Sequence, residues 1–149
     1  MLMLKCSRTI AAPPARVFEV ATDLRSAVGR VRAITKMEVL TEGPVRKGTR
    51  FRETRTMFGR PATEEMEITA FEPPRGFTME CANHGCRYEL EFRLEPKGTS
   101  TELEMMFRVQ ALTFVAKVMS TLMRPLGKRM VGECAKDLDD IARVAEGRA

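Results

Sequence analysis

One stripe of apolar residues runs through the last quarter of the chain. Leu112, Val115, Met119, Leu122, Leu126, Met130, Cys134, Leu138, Ile141 and Ala145 follow one another at steps of three or four. That spacing puts them on one face of an α-helix, and such a helix needs an apolar surface to lie on. The chain upstream reads mostly as strands, so the expected partner is a sheet. Length adds a constraint. Residues 111–146 as one helix would run about 54 Å, against about 33 Å for a ten-residue strand, so one end must overhang. Pro125 lies inside the stretch, where it removes a donor and frees the carbonyl of Thr121. The stretch therefore divides into a core helix over residues 126–146 and an apolar flap over residues 112–124.

Strands are expected at residues 3–10, 35–41, 49–58, 62–72, 77–82, 86–95 and 101–109. Two short helices, residues 15–22 and 23–29, follow the first strand. Pro13-Pro14 opens the first of these and Asp23 is placed to cap the second. Glycine and proline punctuate the rest at Gly43-Pro44, Lys47-Gly48, Gly59-Arg60, Pro73-Pro74 and Lys97-Gly98. Alternation separates two faces. Tyr88, Leu90, Phe92 and Leu94 point one way, as do Leu103, Met105, Phe107 and Val109, while Glu89, Glu91, Arg93, Glu102, Glu104 and Arg108 point the other. One wet and one apolar face is the mark of an antiparallel meander. The expected fold is α+β, a curved seven-stranded antiparallel sheet around the long C-terminal helix, in a single domain over residues 1–149. A sheet that wide curls, and one helix leaves part of its concave side unfilled. A cavity lined by methionine and phenylalanine is the consequence.

Charged residues share the inward face. A two-residue loop at Gly59-Arg60 would pair Phe51 with Ile68, Glu53 with Met66 and Arg55 with Glu64. Phe51, Met57, Met66 and Ile68 then look inward, and Glu53, Arg55 and Glu64 with them. Arg8 shares the inward phase of Leu4 and Ile10. Buried charge is costly unless paired, and Arg55 opposite Glu64 is a ready pair. The cluster reads either as a polar anchor for a ligand or as a structural ion pair. Met79 on the fifth strand and Met119, Met123 and Met130 on the helical stretch complete the candidate lining. Tyr88, the one tyrosine, is a candidate ligand contact or acid, or a core residue bonded within the protein.

With Asn83-His84 as a turn, Cys81 would face Cys86 close enough for a disulfide. Three readings stay open there: two free thiols, a cross-strand disulfide, or a metal site using Cys81, His84 and Cys86 without a fourth ligand. His84, the one histidine, reads as a turn residue. No cofactor motif or phosphate loop is present.

Net charge is +5, from 25 basic and 20 acidic residues that are largely interspersed. That mixture and the core phase of the aromatics argue against nucleic acid as a partner. No apolar run of about 18 residues exists to span a bilayer, and no secretory leader is evident at the N-terminus. Four cysteines fit a reducing setting, the cytoplasm. Residues 112–131 stand apart. They combine apolar side chains with Lys117, Arg124, Lys128 and Arg129, a composition suited to an anionic surface, to a partner or to a lid.

Four fragments resemble a known superfamily in the right order. They are residues 10–18 (Ile10-Ala11-Ala12-Pro13-Pro14-Ala15-Arg16-Val17-Phe18), the Gly43-to-Phe51 turn, Thr69-to-Arg75 and Leu138-to-Glu146. Together they resemble the START-like, or birch-allergen-like (SRPBCC), superfamily, nearest its polyketide cyclase/dehydrase-like branch. The resemblance implies the helix-grip fold. It also implies a cavity for a small hydrophobic or amphipathic molecule such as a lipid, quinone or polyketide, and in some members an enzyme.

Overall fold

A computed structural model describes residues 2–83 and 85–148. The elements run β1 (Leu2–Ile10), α1 (Pro14–Thr22), a short 3-10 turn (Leu24–Ser26), then β2 (Ile34–Val39), β3 (Arg50–Met57) and β4 (Arg60–Glu72). After these come β5 (Gly76–Asn83), β6 (Cys86–Lys97) and β7 (Ser100–Ala111), and the chain ends with α2 (Phe114–Leu122), a second 3-10 turn (Arg124–Leu126) and α3 (Gly127–Ala145). The seven strands form one sheet in the order β1-β7-β6-β5-β4-β3-β2. Every neighbouring pair is antiparallel. Register breaks at Ile34/Lys36 and Ile68/Ala70 bend the sheet, and α3 lies in its concave face. This is the helix-grip architecture.

Side-chain size and phase explain the core. On β1 the residues in phase with Ile10 turn inward, and Ile10 itself is fully buried. Phe51, Ile68, Leu103 and Leu138 are sealed between sheet and α3. One end is closed by aromatic rings: Phe18 of α1 meets Phe71 and Phe77 edge-on at 5.2 and 5.7 Å, and Phe77 stacks on Phe92 at 4.6 Å. Polar ties hold α3 in place. Arg8 of β1 bonds Asp139, and the buried Asp140 accepts from the backbone N–H and Nε of Arg32 at 3.0 and 2.9 Å.

Three expectations are corrected. The second short helix is only a 3-10 turn. Leu24 is its one buried residue, with Ala27 buried just after it, and Asp23 does not cap it but accepts from Arg30 at 3.1 Å. The β3–β4 hairpin turns at Phe58 and Gly59, whose φ angles of 52° and 78° both lie in the left-handed region. Such a loop matches the twist of the strands. It pairs Phe51 with Met66, Glu53 with Glu64 and Arg55 with Ala62, so Arg55 does not sit opposite Glu64. Finally, the stripe does not pack along its whole length. Val115, Met119 and Leu122 of α2 are exposed, because the chain breaks at Pro125 and α2 packs through Ala116 and Ser120, which turns its apolar face outward. The division at Pro125 itself is as the length and the proline require.

Candidate functional site

Between the sheet, α1, the first 3-10 turn and α3 lies a cavity of about 330 Å³. Six methionines line it: Met37, Met57, Met66, Met79, Met105 and Met130. Methionine is flexible and polarisable, so such a wall adapts to more than one apolar shape. Tyr88, Leu90, Phe92 and Phe107 come from β6 and β7, with the Tyr88 and Phe107 rings stacked at 6.1 Å. Val20, Ala21 and Leu24 close the side toward α1.

The polar group in this wall is built from residues of β3 and α3. Arg55 of β3 donates from Nε to Glu53 Oε1 at 2.6 Å and from Nη1 to Asp137 Oδ2 of α3 at 2.8 Å. The side chains of Arg55, Glu53 and Asp137 keep 19, 12 and 11% of their exposure. Burial works against the Arg55 cation, yet the Glu53 and Asp137 carboxylates outweigh it and hold the group above the ordinary arginine range. Asp137 behaves differently. Burial raises its pKa, and Arg55 offsets only part of the effect because it shares its charge with Glu53. Asp137 Oδ1 is buried with no hydrogen-bond partner among the described residues. Glu64, which faces Glu53 across the hairpin, accepts instead from the Asn83 amide. Two carboxylates thus hold one guanidinium whose Nη2 is used in neither of its ion-pair bonds, and Glu64 stands apart on Asn83. Chemically, the group can hold a ligand oxygen on Arg55 or pass a proton through Asp137. Tyr88 adds a hydroxyl, its pKa pushed up to about 12 by burial first and by Cys86 next.

Of the seventeen residues expected to line a cavity, twelve do: Glu53, Arg55, Met57, Glu64, Met66, Met79, Tyr88, Leu90, Phe92, Met105, Phe107 and Met130. Five do not. Phe51 and Ile68 are packed into the core with almost no exposure. Arg8 is drawn away to Asp139. Met119 and Met123 lie on the exposed face of α2 and at its C-terminal end. The residue overlooked is Asp137. It follows Cys134 by three and precedes Ile141 by four, so it sits on the packed face of α3, but a search for apolar residues alone passes over it.

The cysteine expectation also changes. Asn83 pairs with Cys86, and Cys81 pairs with Tyr88, so the two thiols do not face each other. The role proposed for His84 lies outside the described residues. Among the described residues no group of three or more His, Cys, Asp or Glu is arranged to hold a metal ion. A larger open groove of about 640 Å³ crosses the outer face of the sheet. It is walled by charges such as Arg93 and Glu91, paired at 2.6 Å, and belongs to the wet surface.

Comparison with known proteins follows the same lines. A family model described as "Polyketide cyclase / dehydrase and lipid transport" matches residues 1–146. No curated protein sequence matches the chain. Among solved structures, TTHA0849 from Thermus thermophilus is 20% identical with a TM-score of 0.80, covering 98% of each chain. A truncated norcoclaurine synthase from Thalictrum flavum is 14% identical with a TM-score of 0.79, over 99% of this chain and 95% of its own. The ZhuI aromatase/cyclase from Streptomyces sp. R1128 is 18% identical with a TM-score of 0.73, over 97 and 93%. Likeness at these identities shows the fold.

Proposed function

The chain belongs to the polyketide cyclase/dehydrase and lipid transport family, and from that premise we propose that it binds one small hydrophobic or amphipathic molecule between the sheet and α3. The observation that carries this reading is a methionine-rich cavity with a buried ion cluster in its wall. The apolar body of a ligand would displace water from the methionine and phenylalanine side chains. Its oxygen would meet Arg55 Nη2. The volume lies at the small end of ligand pockets, which run from about 300 to 1,000 Å³, and favours a compact ring system over a long acyl chain. Titration with 1-anilinonaphthalene-8-sulfonate tests the reading. One probe per chain is expected, with that site lost in Ala62→Phe, which fills the cavity from β4. Probe binding unchanged in Ala62→Phe would overturn it.

A second reading, catalysis of the cyclase or dehydratase type, is supported by the raised pKa of Asp137 beside a fixed cation. Arg55 would polarise a carbonyl oxygen, and Asp137 would deliver a proton and take one back. Two of the similar structures carry names of this kind, an aromatase/cyclase and a synthase. With a substrate found by turnover, Asp137→Asn should lower kcat roughly 100-fold or more and leave KM near its parent value. An unchanged kcat would end this reading. We propose a reducing compartment, the cytoplasm, as its location, a reading that the four free cysteines support.

A further inference from the structure

The helix α2 is mounted the wrong way round for a surface helix of a globular protein. At 100° per residue, Phe114, Val118, Leu122, Val115, Met119 and Met123 share one half of its circumference. That half faces solvent: Phe114, Val115 and Leu122 are 79, 70 and 67% exposed. The helix packs on the protein through its small residues instead. Ala116 is buried and Ser120 half-buried. The segment is held there firmly enough to count as a feature. Thr113 caps it, accepting from the backbone N–H of Ala116 at 3.1 Å, and the Leu112 N–H bonds the Gly85 carbonyl at 2.7 Å.

Charge separates the same segment from the rest of the chain. Residues 105–132 hold no aspartate or glutamate and five basic residues, Arg108, Lys117, Arg124, Lys128 and Arg129. Residues 112–131 alone supply four of the five net positive charges, so the remainder of the chain is close to neutral. A second copy of this chain would set one basic apolar segment against another and be repelled. An anionic bilayer surface has the complementary charge and accepts a convex apolar ridge without a preformed groove. At nine residues α2 is too short to span a membrane, but it can lie within the headgroup layer.

We propose that α2 and the turn after it dock the protein on an anionic lipid surface, with the exposed apolar half of α2 inserted and Lys117, Arg124 and Lys128 against lipid phosphates. The docked face adjoins one end of the cavity. Met130 lines the cavity, while the neighbouring Arg129 rests on the Phe58 ring at 4.9 Å, next to the cavity-lining Met57. Docking does not depend on what the cavity holds.

The test is co-sedimentation with two kinds of vesicle, phosphatidylcholine alone and phosphatidylcholine with about 30% phosphatidylserine, at low salt. Binding to the anionic vesicles is expected, at least about tenfold tighter than to neutral ones, and weakened by salt. Lys117→Gln with Lys128→Gln should weaken it roughly 25-fold, at about fivefold per cation. Lys47→Gln with Lys97→Gln, an equal change of net charge elsewhere, should leave it within about twofold. Phe114→Ser with Leu122→Ser should weaken it at least about tenfold. All these side chains are exposed, so circular dichroism should report folded variants. No binding to the anionic vesicles, equal binding to both kinds, equal losses in the two lysine pairs, or no loss in the Phe114/Leu122 pair would each overturn the proposal.

Discussion

Replacing Arg55 by methionine removes the one cation from the cavity cluster while keeping an unbranched apolar stem. Glu53 and Asp137 are then left facing each other's charge with 12 and 11% of their side-chain surface exposed. Losing one partner of a buried pair costs about 3–5 kcal/mol. The cluster borders a cavity that water can reach, so the lower end applies, about 3 kcal/mol against a typical total of about 5–15. With a slope of about 2 kcal/mol per molar urea, the unfolding midpoint falls by about 1.5 M at pH 7. The pH dependence follows from Asp137. Its pKa is raised in the folded protein by burial, so the folded state holds that proton more tightly than the unfolded chain does. Stability from this group is full below the ordinary aspartate value of about 3.9 and is lost as pH rises through the folded pKa. Without Arg55 the folded pKa rises further and the loss extends to higher pH. The midpoint deficit of Arg55→Met should therefore be smaller at pH 5 than at pH 7. Adding Glu53→Gln and Asp137→Asn, which removes the stranded charges, should recover most of the loss. A midpoint within about 0.3 M of the parent at pH 7, with no change at pH 5, would refute the reasoning.

Asp140→Ala should cost about 2–3 kcal/mol in urea unfolding, because Asp140 is 2% exposed and satisfies the Arg32 backbone N–H as well as its guanidinium. Gly85→Ala should cost about 1–2 kcal/mol and speed proteolysis in residues 112–124. Gly85 has a φ of +74°, and a Cβ there would lie 2.7 Å from Thr113 Oγ1. Iodoacetamide at alkaline pH should label Cys6 ahead of Cys134 and Cys81, as read by mass spectrometry of the peptides. The hydrogen bond from the Cys134 thiol lowers the pKa of Cys6, while that same contact, with burial, raises Cys134. Burial, then Glu64 and Glu53, pushes Cys81 up to about 11. First labelling at Cys134 would contradict this.

Facing was legible in the sequence and partnering was not. Alternation on β3 puts Glu53 and Arg55 on the same side as Phe51 whichever loop closes the hairpin. The true loop differs from the expected one by a shift of two residues in register, which leaves every facing unchanged and every partner different. The reason is Phe58, a bulky residue in the left-handed region, where sequence reasoning places glycine first. A register shift of the same size separates Cys81 from Cys86. Asp137 lies 82 residues from Arg55 in the chain, so no local pattern joins them, and only its position on the packed face of α3 marked it. The apolar stripe, for its part, keeps phase through Pro125 although packing does not. Periodicity reports which residues share a face, not whether a sheet lies beneath them.

The claim that the cavity is a ligand site has one direct test, carbon-13 methyl spectroscopy of the methionines during titration with a compact ring compound such as 1-naphthol. Six methionines line the cavity, while Met3, Met119 and Met123 lie exposed on the outside. Saturable shifts at Met37, Met57, Met66, Met79, Met105 and Met130, with the three outer methyls still, are the predicted result. Shifts confined to Met3, Met119 and Met123, or none at any cavity methyl up to the solubility of the compound, would contradict it.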